Sequence, residues 1–217
     1  MKSILKLSVF VFASLILSGC QSKLKPVELD VIGNESCQPP CWRGIIPGKT
    51  TADETIRIFQ KWQMEDKGTW KRNTGEKDHL KWDYICWVEE VWPEICLKLE
   101  SDIVESIDLR ISSPQSIHLE DIIEKYEEPD GFTLELCPDC SGYGISIYYP
   151  KAGLFFTAGG KGKLQITPKM LITRAIFVKS TDREGMIKLL FGTERIEDNE
   201  VGYKEWSSYG IISEMNP

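Results

Sequence analysis

Between residues 50 and 178 the chain passes twice through the same succession of patterns, a helical stripe and then segments of alternating polarity. Thr51 and Glu54 have capping-box spacing, and Ala52, Ile56, Phe59 and Trp62 follow on one helical face. Gln63 to Lys81 is polar and interrupted by Gly68 and Gly75, which suits a long connection with one short strand around Thr69 to Lys71. Trp82 to Val88 and Ile95 to Glu100 then form a hairpin around a loop from Glu89 to Glu94. A register with Trp87 opposite Ile95 puts Ile85 opposite Leu97 and sends both pairs to the core. It also sets Cys86 against Cys96 on the other face, which Trp82 and Tyr84 share. After a turn at Ser101-Asp102, Ile103, Ile107, Leu109 and Ile111 alternate with Ser106, Asp108 and Arg110, as in a half-buried strand.

The second pass begins with the stripe Leu119, Ile122, Ile123 and Tyr126, stopped by Pro129-Asp130-Gly131. Phe132 to Leu136 is a short strand; Tyr143, Ile145, Ile147 and Tyr149 alternate along the next. Leu154 to Ala158 follows a Pro150-Lys151-Ala152-Gly153 turn. Gly159 to Gly162 is expected to be a flexible connection, and Leu171 to Val178 gives the last clear strand. Asp182 to Phe191 is a third helix with Met186, Leu189 and Leu190 inward, and Trp206 and Tyr209 are placed to dock the polar tail. The fold class expected is α+β: two helix-plus-antiparallel-sheet units whose short helices pack on one sheet face. The expected divisions are 1–19, 20–36, 37–115, 116–180 and 181–217.

The amino-terminal pattern differs from all of this. Lys2 and Lys6 precede an apolar run from Leu7 to Leu17. The run is far shorter than the roughly 20 residues of a membrane span and has signal-peptide proportions. It ends in Leu17-Ser18-Gly19-Cys20, which resembles the lipobox of bacterial lipoproteins. The resemblance implies a diacylglycerol on the Cys20 thiol, cleavage after Gly19 and acylation of the new amino terminus. More than one acyl chain, at about 0.8 kcal/mol per buried CH₂, gives a stable anchor. Residues 20–36 then form a lipidated tether. Gln21 rather than Asp resembles lipoproteins sent to the outer membrane where a cell has two membranes. The implied location is extracytoplasmic, with the membrane as a partner through the lipid.

Charge and cysteines sharpen this picture. Of the 217 residues, 26 are Lys or Arg and 33 are Asp or Glu, a net charge of −7 that becomes −9 once Lys2 and Lys6 leave with the signal. Such an acidic balance argues against a nucleic-acid partner. Besides Cys20 there are six cysteines, Cys37, Cys41, Cys86, Cys96, Cys137 and Cys140. In an exported chain an even number suggests disulfides, and their grouping gives Cys37–Cys41, Cys86–Cys96 and Cys137–Cys140. The segment Cys37-Gln38-Pro39-Pro40-Cys41-Trp42 suits a tight stapled loop with Trp42 packed on the body. Zinc is the alternative for Cys37, Cys41, Cys137 and Cys140, and redox chemistry for Cys137-Pro138-Asp139-Cys140. The oxidising compartment disfavours the first, and the motif's place between strands rather than at a helix start disfavours the second.

Ile46-Pro47-Gly48-Lys49-Thr50 before one helix, and Ile123-Glu124-Lys125-Tyr126-Glu127-Glu128-Pro129-Asp130 ending another, resemble the two parts of a motif in beta-lactamase-inhibitor-protein-like modules. These modules include small lipoproteins of the outer-membrane assembly machinery. The usual Gly of the second part is Glu127 here. The resemblance covers about 45–111 and 117–178. It implies short helices on one face of an antiparallel sheet, often in tandem, and a function of binding other proteins; it assigns no contact residues.

The remaining chemistry is sparse. His79 lies in a polar connection and His118 at a helix start, without a Ser or Cys nucleophile motif beside either, so both suit a solvated surface. Gly159-Gly160-Lys161-Gly162-Lys163 lacks P-loop spacing and a following Ser or Thr. The acidic pairs Glu89-Glu90, Glu120-Asp121 and Glu127-Glu128 suit solvated faces, not a glycosidase pair. No catalytic residue, metal or cofactor is assigned. The expected function is a non-catalytic, lipid-anchored envelope protein that binds or scaffolds an envelope protein partner. The alternative is a carbohydrate- or small-ligand-binding lipoprotein using Trp82 and Tyr84 as an aromatic face; an envelope enzyme ranks below both. Cys20→Ala is expected to abolish incorporation of labelled palmitate and release the chain from the membrane fraction; unchanged labelling and retention reject the lipid anchor.

Overall fold

The computed structural model describes residues 37–61, 68–77, 80–89, 95–111, 117–136, 142–191 and 202–212. Residues 1–36, which include the expected signal, Cys20 and the expected tether, lie outside them, as do Trp62, His79, Cys137 and Cys140. Among the described residues the chain is an α+β structure dominated by one antiparallel sheet of nine strands. The chain order is α1 (Ala52–Lys61), β1 (Gly68–Lys77), β2 (Leu80–Glu89), β3 (Ile95–Glu100), β4 (Ile103–Arg110), α2 (Leu119–Tyr126), β5 (Gly131–Leu136), β6 (Gly142–Tyr149), β7 (Leu154–Lys161), β8 (Gln165–Ile166), β9 (Leu171–Val178), α3 (Arg183–Phe191), β10 (Tyr203–Glu205) and β11 (Gly210–Ile211). Across the large sheet the order is β1-β2-β3-β4-β9-β7-β6-β5-β10, while β8 and β11 form a small separate ribbon. The expected pair of sheets is therefore one sheet, because β4 and β9 bond directly from Ser106↔Val178 to Arg110↔Arg174.

One face, here the inner face, carries the main core. Ile85, Leu97, Ile107, Phe177 and Leu154 lie in adjacent ladder positions on five strands, each 1% exposed or less. Burying each such side chain contributes about 1.5–3 kcal/mol. Helices α1 and α2 cover this face through Ala52, Phe59, Leu119 and Ile122. Phe59 stacks on Trp70 at 3.5 Å, and Trp70 lies opposite Trp87 in the β1–β2 ladder. The amino-terminal loop is closed by Cys37–Cys41 and places Trp42, 1% exposed, in the same core. Trp42 and Ile45 exchange backbone hydrogen bonds of 2.9 Å across Arg43-Gly44, which fixes the turn that carries the indole inward.

Helix α3 departs from the expected layering. It packs on the opposite, outer face, where Met186 and Ile187 join Tyr148, Phe155, Ile176 and Val178 in a second apolar cluster. Its inward stripe is Met186, Ile187 and Leu190, and Leu189 is exposed. In α1 the inward positions are Ala52, Thr55 and Phe59; Ile56 points toward solvent. In β4, Leu99 pairs with Val104 and Lys98 with Ser106, so Glu105 is an extra residue. That bulge turns Val104 inward and leaves the expected core residue Ile103 exposed. The short strand foreseen around Thr69 is a ten-residue edge strand, since pairing with β2 satisfies its backbone.

Gly159 and Gly160 belong to β7 rather than to a loop. Tyr143 lies opposite Gly160 in the ladder. A Cβ there would sit 2.3 Å from the Tyr143 ring. The phenol reaches past the glycine to donate to the Gln165 carbonyl at 2.7 Å, which pins the start of β8. At the tail, Trp206 meets Phe132 edge-on and Tyr209 in turn, as expected of a docked segment.

The entries to α1 and α2 are made alike. Thr51 bridges Ile103, and His118 bridges Leu171. Val104 N–H donates to Thr50 and Ala52 N–H to Asp102; likewise Ile172 N–H donates to Ile117 and Leu119 N–H to Met170, all at 2.9 Å. Thr51 N–H donates to the Glu54 carboxylate at 2.9 Å and His118 N–H to that of Asp121 at 2.7 Å. These contacts hold Glu54 below the usual carboxylate range, first through the Thr51 backbone N–H. At the far end of α2, Glu127 has φ 66° and ψ −164°, a region open almost only to glycine. The Tyr149 hydroxyl donates to its carbonyl at 3.0 Å. Glu127→Gly is expected to raise stability by about 1 kcal/mol, read as a higher urea midpoint at unchanged slope; a lower midpoint shows that the Glu side chain contributes more than its backbone costs.

Candidate functional site

The outer face is the place where side chains gather in a way that core packing does not require. Its ladder rows follow from the register. One row holds Tyr84, Lys98, Ser106 and Val178; the next holds Cys86, Cys96, Asp108, Ile176, Phe155 and Tyr148. A third runs Arg110, Arg174, Thr157, Ser146 and Thr133. Helix α3 lies over the Tyr148, Phe155, Ile176 and Val178 end. Beside it the strands leave two cavities, which share Arg174, Ile176 and Leu190.

The first, of about 220 Å³, is bordered by Tyr84, Lys98, Glu105, Asp108 and Arg174. Its charges are held in pairs. Arg174 grips Asp108 side-on, with Nε to Oδ1 at 2.8 Å and Nη2 to Oδ2 at 2.5 Å. Lys98 meets Glu105 at 2.5 Å. Two parallel N–H···O bonds fix a guanidinium's plane as well as its position. The Arg174 side chain is 43% exposed and that of Asp108 23%, so the pair belongs to the surface. The second cavity, of about 380 Å³, is bordered by Arg110, Arg174, Ser146, Thr157 and Thr173 over Phe155, Ile176 and Leu190.

Of the residues singled out from the sequence, Cys86 and Cys96 pair directly across β2 and β3 with Cα atoms 4.1 Å apart, in the expected register. Cys37–Cys41 is the second bridge. Its sulfurs are bonded to each other, and among the described residues no group of three or more potential metal-ligating His, Cys, Asp or Glu side chains occurs. Cys137 and Cys140 lie outside the described residues, as does Cys20, the residue expected to carry the lipid. Tyr84 is half-buried on the outer face and borders the first cavity. Trp82 sits opposite Gly75 in the ladder, with its side chain outside what is described. His118 is the N-cap residue of α2, its Nδ1 3.7 Å from Asp121.

Sequence patterning did not reveal Arg110, Asp108 and Arg174 as a group. The alternation through Ser106, Asp108 and Arg110 marks a polar strand face, but Arg174 stands 64 residues beyond Arg110, inside a mostly apolar strand. Tyr203 approaches the far side of α3, where Arg183 lies 4.8 Å over its ring. Burial pushes that phenol's pKa up, and the neighbouring guanidinium opposes the shift.

Compared with family models, curated proteins and solved structures, the chain matches none. No helix among the described residues is long and apolar enough to cross a membrane. A double-mutant cycle on Asp108→Ala and Arg174→Ala is expected to give a coupling of about 1 kcal/mol, measured by urea unfolding and reduced at high salt; coupling near zero shows that the pair adds no stability.

Proposed function

We propose that this chain is a lipid-anchored, non-catalytic binding protein of the bacterial envelope, built from two equivalent halves, with the outer sheet face as its recognition surface. One half is α1 with β1–β4; the other is α2 with β5, β6, β7 and β9. The matched entries to α1 and α2 support the division. So do the bulges: Glu105 is the extra residue of β4 and Thr173 that of β9. With Ile103 equivalent to Leu171, Asp108 becomes equivalent to Ile176. These two residues face each other in the β4–β9 ladder, as a near-twofold axis through that pair requires. This arrangement agrees with the resemblance to tandem modules that bind proteins.

A single observation carries the recognition surface. Four neighbouring strands present Tyr84, Lys98, Asp108 and Arg174 on the half of the outer face that α3 does not cover, each charge held by a partner. Side chains on strands hold their positions better than side chains on loops, which suits them to recognition. The lipid on Cys20 would keep this surface within reach of a membrane-associated partner. The cavity beside Tyr84 favours a second reading, a small-ligand site, in which the aromatic ring supplies contact area at low entropy cost.

The test is photo-cross-linking of the lipidated chain in its native envelope. Tyr84→p-benzoylphenylalanine is expected to give one discrete adduct, lost when Lys98→Glu is added. The same label at exposed Lys151, in the turn before β7, is expected to give none. Equal labelling from both positions, or none from Tyr84, rejects the outer face as the recognition surface.

A further inference from the structure

We propose that the β1 edge of the sheet pairs antiparallel with the same strand of a second copy of this chain, so that two sheets become one. The inference goes beyond the recognition reading and does not rest on it. The two edges of the sheet are unlike. β10 is three residues long, whereas β1 runs for ten with unbroken pairing to β2 and no proline. Among the described residues no strand pairs with its outer side. A long, regular edge of that kind is a template for another strand. The one guanidinium of β1 is served within its own copy, where Arg72 bonds Asp83 at 2.6 Å and Asp102 at 3.0 Å.

The direction of the backbone groups follows from the neighbouring ladder. Cys86 and Cys96 have Cα atoms 4.1 Å apart. That is the spacing of a non-hydrogen-bonded pair, about 4.5 Å against about 5.5 Å for a bonded one. The N–H and C=O of Cys86 therefore point to β1 and meet those of Lys71, its ladder partner. Alternate residues point the other way, so Trp70, Arg72, Thr74 and Glu76 aim their backbone groups out of the sheet. Charge then selects the register, since like charges directly opposite destabilise a pair. Among registers that keep most of β1 paired, a twofold axis at Lys71 or at Arg72 sets that residue against itself. An axis at Thr74 sets Lys71 against Lys77. An axis at Asn73 opposes Trp70 to Glu76, Lys71 to Gly75, Arg72 to Thr74 and Lys77 to Thr69, and no like charges face. In that register the outward groups of Trp70 meet those of Glu76, and those of Arg72 meet those of Thr74.

The axis is normal to the sheet and leaves both inner faces on one side. The Cys37–Cys41 loops, packed on the inner-face core through Trp42, then share that side. The lipids expected on Cys20 of both copies would enter one membrane. On the outer face Asn73 lies opposite Tyr84, and Tyr84 opposite Lys98. The two Tyr84–Lys98 rows would therefore run on into each other through the Asn73 pair.

The experiment uses the full chain in its native envelope, co-expressed as two differently tagged copies. The unaltered copies are expected to co-purify after mild solubilisation. Asn73→Cys is expected to join the two copies by a disulfide, mapped by mass spectrometry to position 73 of each, because a non-hydrogen-bonded pair brings Cα atoms within bridging range. Gly75→Cys, on the same face but set against Lys71 of the second copy, is expected to give at least tenfold less. Thr74→Pro removes an outward N–H and leaves the β1–β2 bonds intact; it is expected to lower the yield of mixed pairs at least tenfold. No co-purification of the unaltered copies, equal bridging from positions 73 and 75, bridging to a different protein, or mixed pairs undiminished by Thr74→Pro overturns the proposal. Co-purification of the unaltered copies and the contrast between positions 73 and 75 decide the matter even where Thr74→Pro fails to fold. Cross-linking from Tyr84 to a different protein tests the recognition surface separately, so either reading can fail while the other stands.

Discussion

The structure depends on the antiparallel pairing of β4 with β9. Each is the last strand of a meander, and each would otherwise be a sheet edge with unpaired N–H and C=O groups. Bonded to each other over Ser106–Arg110 and Arg174–Val178, they turn two meanders into one sheet with one continuous inner face. Ile107 and Phe177 face each other at this seam and Leu109 faces Ala175, all of them buried. The apolar surfaces under α1 and α2 thereby join in a single core, where two small cores would each bury less area.

The same seam sets the character of the outer face. Under the proposed equivalence, Tyr148 and Phe155 stand where Cys86 and Cys96 stand in the first half, since Cys96 pairs with Asp108 and Phe155 with Ile176. One half fills those positions with aromatic rings and covers them with α3. The other joins them by a disulfide, which constrains the two strands covalently and needs no covering layer. The charged groups Lys98 and Asp108 stand on the side of the disulfide, outside the cluster that α3 covers. The bulky end of the cavities thus lies against α3 and the charged end against β3 and β4.

Much of the local structure was legible in the residues. The register considered from the residues, Trp87↔Ile95 with Cys86↔Cys96, is the one observed; alternation excludes a one-residue slip, which would send Ile85 and Leu97 to solvent, and the paired cysteines fit it. The α2 stripe and the capping box at Thr51 were legible for the same reason, being patterns of a few residues' span. Errors arose where a single inserted residue or a neighbouring strand decided the outcome. The Glu105 bulge exchanged Ile103 for Val104. The hydroxyl and ring of Tyr143 made a strand of a glycine-rich stretch. The second apolar cluster drew α3 to the outer face, and no periodicity within α3 distinguishes one sheet face from the other. The cavities were illegible because Asp108 and Arg174 meet only through the β4–β9 ladder.

By itself the sequence determined the three helices, most of the longer strands, the hairpin register and two sulfur bridges, since each follows from periodicity or from spacing within about ten residues. Its amino-terminal resemblance to a lipobox remains an expectation about location that the fold does not address. Tertiary structure alone decided that the sheet is single, which face each helix covers, and that Arg110, Asp108 and Arg174 share a surface. The reason is that pairing between distant strands is chosen by the burial of whole faces, a quantity that no short stretch of chain contains.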